Sequence, residues 1–193
     1  MLEWLNSIDT RLFLAINGVH NGFFDFVMYW ASNRFIWIPF YLFLAFLLFR
    51  HYGRKAWVLV LAAGLVILIS DQTSVQLFKQ LFHRLRPCHE PSLAGMIHLV
   101  DGKCGGKYGF ISSHATNSFA LATFLSLLLG RKIRGFTVLM LAWAILLSYS
   151  RVYLGVHYPG DVLVGAFWGA GIGAAFYSLT QRFFKSENLK TKS

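Results

Sequence analysis

Residues 136–176 read FTVLMLAWAILLSYSRVYLGVHYPGDVLVGAFWGAGIGAAF, two apolar runs joined by a polar turn. About 20 apolar residues at 1.5 Å each cross a hydrocarbon core of roughly 30 Å, so the runs read as successive membrane helices. The turn between them carries Arg151, His157 and Asp161. Arginine is permanently charged and planar, which suits it to phosphate or carboxylate oxygens. Pro159 favours the first turn of a helix, so Asp161 is expected in the opening turn of the next one, turned back toward His157. A carboxylate on one ring nitrogen leaves the other unprotonated and aimed, as a nucleophile or base requires. Taken alone, a capped turn with a satisfied histidine explains the stretch equally well.

Working outward, the 193 residues allow one domain, and 56% hydrophobic against 13% charged content with a mean hydropathy of +0.53 points to an integral membrane protein. The net charge of +10 does not indicate nucleic acid. Its basic residues fall mostly at the ends of apolar runs, as membrane orientation requires, or near the polar turn, where an anionic substrate accounts for them. No cleavable signal peptide is evident, because Glu3, Asp9 and Arg11 interrupt the first apolar pattern.

The expected fold is all-α, a bundle of about five transmembrane helices behind an N-terminal amphipathic segment. Residues 1–34 form that segment, 35–184 the membrane domain and 185–193 a cytoplasmic tail. Leu2, Leu5, Ile8, Leu12 and Ile16 fall at helical spacing and suit a short helix at the membrane surface. Spans follow from Phe35 to Phe49, from Ala56 through a polar stretch to near His83, from 113 to 129, from Phe136 onward, and from Asp161 to Phe184. Asp71, on the second, is expected to hydrogen-bond a neighbouring helix rather than pair with a motif cation. Gly165, Gly169 and Gly173 allow close helix packing within the monomer.

Basic clusters at 50–55, 131–134 and beyond 182 share one side of such a bundle, which the positive-inside rule makes cytoplasmic. The 84–111 loop and the Ser150–Asp161 turn then face outward. Arg84, Arg86, Lys103 and Lys107 lie on that side against the trend and invite a functional explanation. An outward loop also permits a Cys88–Cys104 disulfide, worth about 3 kcal/mol, with two free thiols as the alternative.

Three polar clusters gather at that face. KQLFHRLRP sets Lys79 and Arg86 seven apart, on roughly one helical face, with Pro87 stopping the helix. FISSHATNSF sets Ser112, Ser113 and His114 at a helix N-terminus, a ready anion site. The third is Arg151, His157 and Asp161. Several cations, a histidine with a carboxylate partner and a second histidine as acid suit phosphoryl transfer. Neither a P-loop nor the spaced carboxylates of a magnesium site is present in the sequence.

The same residues resemble the three-part signature of the type 2 phosphatidic acid phosphatase superfamily. Lys79 and Arg86-Pro87 match its first part, Ser112 and His114 its second, and Ser150-Arg151, His157 and Asp161 its third. One departure is Ile111-Ser112-Ser113-His114, where the family usually has Pro-Ser-Gly-His. The resemblance implies that His157 attacks phosphorus, Asp161 orients it, and His114 serves as acid and then base. Lys79, Arg86, Ser112 and Arg151 would hold the phosphate, with Ser113 a weaker contributor, and no metal or other cofactor is required. It further implies a bacterial inner-membrane enzyme acting outside on a phosphorylated lipid. Undecaprenyl diphosphate is expected first; phosphatidylglycerol phosphate, phosphatidic acid, lipid A 1-phosphate and phosphate transfer to another lipid stay open. A non-enzymatic carrier of phospholipid headgroups, using the same cations to bind, is the rival class.

Overall fold

The apolar pattern becomes eight α-helices in the computed structural model, which describes residues 2–190, with side chains from 3 to 186. They are α1 (Leu2–Asn17), α2 (Gly22–Ser32), α3 (Ile38–Tyr52), α4 (Ala56–Gln72), α5 (Gln80–Phe82), α6 (Ser113–Leu129), α7 (Phe136–Tyr153) and α8 (Pro159–Lys190). The expected tail, 185–193, lies largely outside the described side chains. Among the described residues three helical stretches are long and apolar enough to cross a membrane: Arg34–Phe82, Phe136–Tyr153 and Pro159–Ser186. The first folds back at Gly53, whose φ of 53° suits glycine, so α3 and α4 run as an antiparallel pair. With α6, five helices run through the bundle.

Helix α6 is the axis. Ala115, Ala120, Leu121, Ala122, Phe124, Leu125, Leu128 and Leu129 are all buried, and only a narrow side around Leu127, 43% exposed, stays open. Leu44 and Leu48 of α3, Leu59 and Val66 of α4, and Met140, Trp143 and Leu147 of α7 close around it in one apolar core. The outward faces of α4, α7 and α8 are apolar too, with Leu61 68%, Val138 72% and Phe167 78% exposed, as lipid contact requires.

Helix α8 meets α6 through its glycines. Gly165 faces Ser112 and Thr116, Gly169 the Thr116 main chain, and Gly173 the Ala120 carbonyl. A methyl group at Gly169 would run into that main chain, whereas one at Gly171 meets nothing within 4 Å. The small-residue stripe therefore packs inside the monomer and brings the first turn of α8 beside the first turn of α6.

The second span departs from its expected course. After Gln72 the helix widens into a π-helical segment, Thr73–Lys79, and ends at Phe82, because His83 takes left-handed backbone angles (φ 48°, ψ 24°). Arg86 therefore does not sit two helical turns beyond Lys79, and Pro87 is not what stops the helix. Residues 84–86 instead run extended, with Leu85 bridged antiparallel to Tyr108, Arg86 N–H donating to Lys107 O at 3.1 Å and Gly109 N–H to Arg84 O at 2.8 Å. Asp71 accepts from Asn117 Nδ2 on α6 at 3.3 Å, an interhelical bond rather than an ion pair.

Helices α1 and α2 lie across the end of the bundle where α4 stops and α6 and α8 begin. Phe13 of α1 is fully buried against Leu93, Val152 and Tyr158. Asn17 donates to His98 O (2.9 Å) and Tyr153 O (2.7 Å) and accepts from His98 N–H (2.8 Å), tying α1, the long loop and α7 together. Cys88 and Cys104 are joined by a disulfide, Cα atoms 5.9 Å apart, which closes that loop.

Overpacking at the α6–α8 contact costs about 1–3 kcal/mol. Gly169→Ala should therefore lower the thermal unfolding midpoint in detergent, while Gly171→Ala leaves it unchanged or slightly higher; equal effects would contradict this packing.

Candidate active site

The three sequence clusters meet at the α1-covered end of the bundle. Lys79, at the end of the π-helical segment, donates from Nζ to Ser113 Oγ at 3.0 Å, and Ser74 Oγ donates to the same oxygen at 2.7 Å. The side chain standing where the family usually has glycine is thus spent on holding Lys79. Ser112 is the N-cap of α6, yet its hydroxyl makes no capping bond. That oxygen is fully buried without a partner among the described residues, as is Arg151 Nε, so both point to a ligand.

Arg86 is positioned by carbonyls. Its Nε donates to Tyr108 O at 3.3 Å and its Nη1 to Cys104 O at 3.0 Å, so the disulfide-closed loop sets its direction. Burial draws its guanidinium below the ordinary value, with Asp161 partly opposing this. Arg151, on the last turn of α7, donates from Nη1 to Ser32 Oγ at the end of α2. Through that bond α2 covers this side of the site.

His157 lies in the turn between α7 and α8 and is 2% exposed. The turn depends on Gly155, whose φ is 77° and where a side chain would strike His98 O and Ile97. Asp161, fully buried in the first turn of α8, divides its oxygens. Oδ2 accepts from Tyr158 N–H at 3.0 Å and lies 3.5 Å from His157 Nδ1, while Oδ1 accepts from Arg84 Nη1 at 2.7 Å. The histidine–carboxylate contact is longer than a hydrogen bond. Burial, first, and then the charges of Arg86, Arg151 and Lys79 hold the His157 imidazole well below its ordinary value.

Arg84, Asp9, Ser32 and Ser74 were not expected here. Arg84 bridges Asp161 and Asp9, both at 2.7 Å, and lies 4.2 Å from the centre of the Tyr158 ring. Burial disfavours its charge, but Asp161 and Asp9 more than offset this and hold it above the ordinary value. Only Arg84 left a trace in the sequence, as a basic residue against the positive-inside trend. Lys79 and Arg86 also line a cavity of about 360 Å³, together with Gln80, His83, Lys107 and Tyr108. Cys88, His89 and Cys104 bring ligand atoms within 4.8 Å of one another, but both sulfurs are consumed in the disulfide.

An apolar helical bundle with buried cations, two histidines and a carboxylate at one end defines a class of membrane phosphatases. Residues 55–185 match the PAP2 superfamily, and the chain belongs to that family. It is a membrane lipid phosphatase of bacterial type. A relative from Bacteroides thetaiotaomicron named lipid A 4'-phosphatase is 40% identical over 94% of this chain and 81% of its own. One of the same name from Porphyromonas gingivalis is 36% identical over 92% and 75%. The crystal structure of a transmembrane PAP2 type phosphatidylglycerolphosphate phosphatase from Bacillus subtilis has the same fold, with a TM-score of 0.65 at 19% identity over 94% of this chain and 87% of that one.

Because the unfolded chain binds a proton at His157 that the folded site refuses, the stability linked to this ring is full above about pH 6.5 and is lost as pH falls below it. Histidine-selective NMR in detergent should find this ring, assigned through His157→Gln, still neutral at about pH 6, where an ordinary imidazole is mostly protonated. Titration at or above about 6.5 would contradict the assignment.

Proposed function

We propose that this protein hydrolyses the 4'-phosphate of lipid A without a metal, through a phosphohistidine at His157. The observation that carries the substrate is the pair of relatives of that name, whose similarity runs over more than nine-tenths of the chain and so reaches into the α1–α2 cover. The mechanism rests on the convergence of Lys79, Arg86, Ser112 and Arg151 around His157 and His114.

In the first step the free ring nitrogen of His157 attacks phosphorus. The ester P–O bond breaks, and His114 donates a proton to the departing oxygen. Asp161 orients His157 and balances the charge that grows on its ring. Lys79, Arg86, Arg151, the Ser112 hydroxyl and the first N–H groups of α6 spread the charge on the phosphoryl oxygens, the work a metal ion does elsewhere. In the second step His114 takes a proton from water, whose oxygen attacks the phosphohistidine and frees inorganic phosphate and His157. Ser113 acts through Lys79 rather than by offering its backbone alone.

The basic clusters at 50–55 and 131–134 sit at the other end of the bundle, which supports a cytoplasmic-membrane protein with its site facing outward. Residues 1–34 then act as a cover on the 35–184 domain, and 185–193 as a cytoplasmic tail. Undecaprenyl diphosphate, the first expectation from sequence, becomes the second reading. The cavity beside Lys79 and Arg86 favours it, since His83 and Lys107 in its lining could receive a second phosphate.

Purified protein assayed for phosphate release should turn over lipid A faster than undecaprenyl diphosphate, phosphatidylglycerol phosphate or phosphatidic acid. The reverse order would overturn the substrate assignment. His157→Ala and His114→Ala should each lower turnover by roughly 1,000-fold or more, as loss of a nucleophile or acid does; wild-type turnover in either would sink the mechanism.

A further inference from the structure

We infer that Asp9 and Arg84 are positioning residues for the His157–Asp161 pair, making helix α1 a working part of the active site; this rests on the catalytic roles proposed above. Arg84 holds Asp161 Oδ1 through Nη1 and Asp9 Oδ2 through Nη2, each at 2.7 Å. The other Asp9 oxygen accepts Gly160 N–H at 2.7 Å. One carboxylate from α1 thus grips both the arginine that fixes Asp161 and the backbone between His157 and Asp161. The approach is close enough that a methyl group at Gly160 would lie 2.7 Å from Asp9 Oδ2.

Two consequences follow. The first is geometric: with Oδ1 taken by Arg84 and Oδ2 held by Tyr158 N–H, the Asp161 carboxylate cannot rotate, and Oδ2 stays on the His157 side. The second concerns charge. Arg84 and Asp161 alone would cancel and leave His157 facing no net anion, among the cations Lys79, Arg86 and Arg151 and beside His114. Asp9 restores one net negative charge to the group. That charge is needed when His157 becomes cationic on attack. The guanidinium suits this bridge because its planar fork reaches two carboxylates at once, which a lysine cannot do.

The test compares wild type with Asp9→Asn, which is nearly isosteric and can still accept from Gly160, assayed for phosphate release from lipid A. Should the wild type leave lipid A untouched, phosphatidic acid replaces it, so that failure of the substrate assignment does not disturb this result. Asp9→Asn should lower kcat by about 10- to 100-fold, the scale of a small misplacement in a reacting group. KM should stay within about twofold, because the phosphate-holding residues are untouched. The acid limb of the kcat/KM profile, which reports the His157–Asp161 pair, should move, and Asp9→Glu should recover part of kcat. Arg84→Lys should lose a similar factor, and the double variant should be no worse than Arg84→Lys alone, since both act through Asp161. Wild-type kcat with an unmoved pH profile in Asp9→Asn, or a loss confined to KM, would overturn the inference. If Asp9→Asn yields no folded protein, Arg84→Lys is read by the same kcat, KM and pH criteria and decides alone.

Discussion

Everything at the polar end of the bundle depends on how closely α8 can lie against α6. Gly165, Gly169 and Gly173 remove the side chains that would separate the two helices, and Ser112 N–H then donates to Asp161 O at 3.0 Å. That single backbone bond couples the helix start bearing Ser112 and His114 to the helix start bearing Asp161. Dispersion between closely packed backbones supplies the adhesion that the hydrophobic effect cannot supply inside a bilayer. The site is therefore assembled from rigid helix ends, with loops added around it.

Three further layers complete it. The π-helical segment carries Lys79 to Ser113, a placement consistent with the functional bias of such segments. The disulfide-closed loop orients Arg86 through its own carbonyls, so the direction of this buried cation is written in backbone rather than in side-chain packing. Helices α1 and α2 then close the end of the bundle with Asp9, Asn17 and Ser32. Each of these reaches a polar group of the site or its supporting turns. Burying so many charges is tolerable because most are paired or carbonyl-bound, and among the unpartnered buried atoms of the described residues Ser112 Oγ, Arg151 Nε and His157 Nδ1 lie at the site.

Much of this was legible because polar residues in an apolar chain stand out. Arg151, His157 and Asp161 are conspicuous between two membrane helices, and the all-helical bundle follows from hydropathy and glycine spacing alone. What the sequence concealed has common physical causes. Asp9 looks like any residue on the polar face of an amphipathic helix, because its partner lies 75 positions away at Arg84. The left-handed turn at His83 has no glycine to announce it, so Pro87 drew the helix end too far, to Arg86 instead of Phe82. Ser113 read as a weakened anion site, whereas its hydroxyl serves a lysine on another helix, a contact that no local spacing encodes.

The central claim is that His157 carries the phosphate between the two half-reactions. Rapid acid-free quenching of purified protein turning over ³²P-labelled lipid phosphate tests it most directly. An acid-labile, base-stable label on the peptide containing His157, absent in His157→Ala, is the expected result. Steady turnover by wild-type protein with no labelled peptide at any time, or a label that persists in His157→Ala, would contradict it.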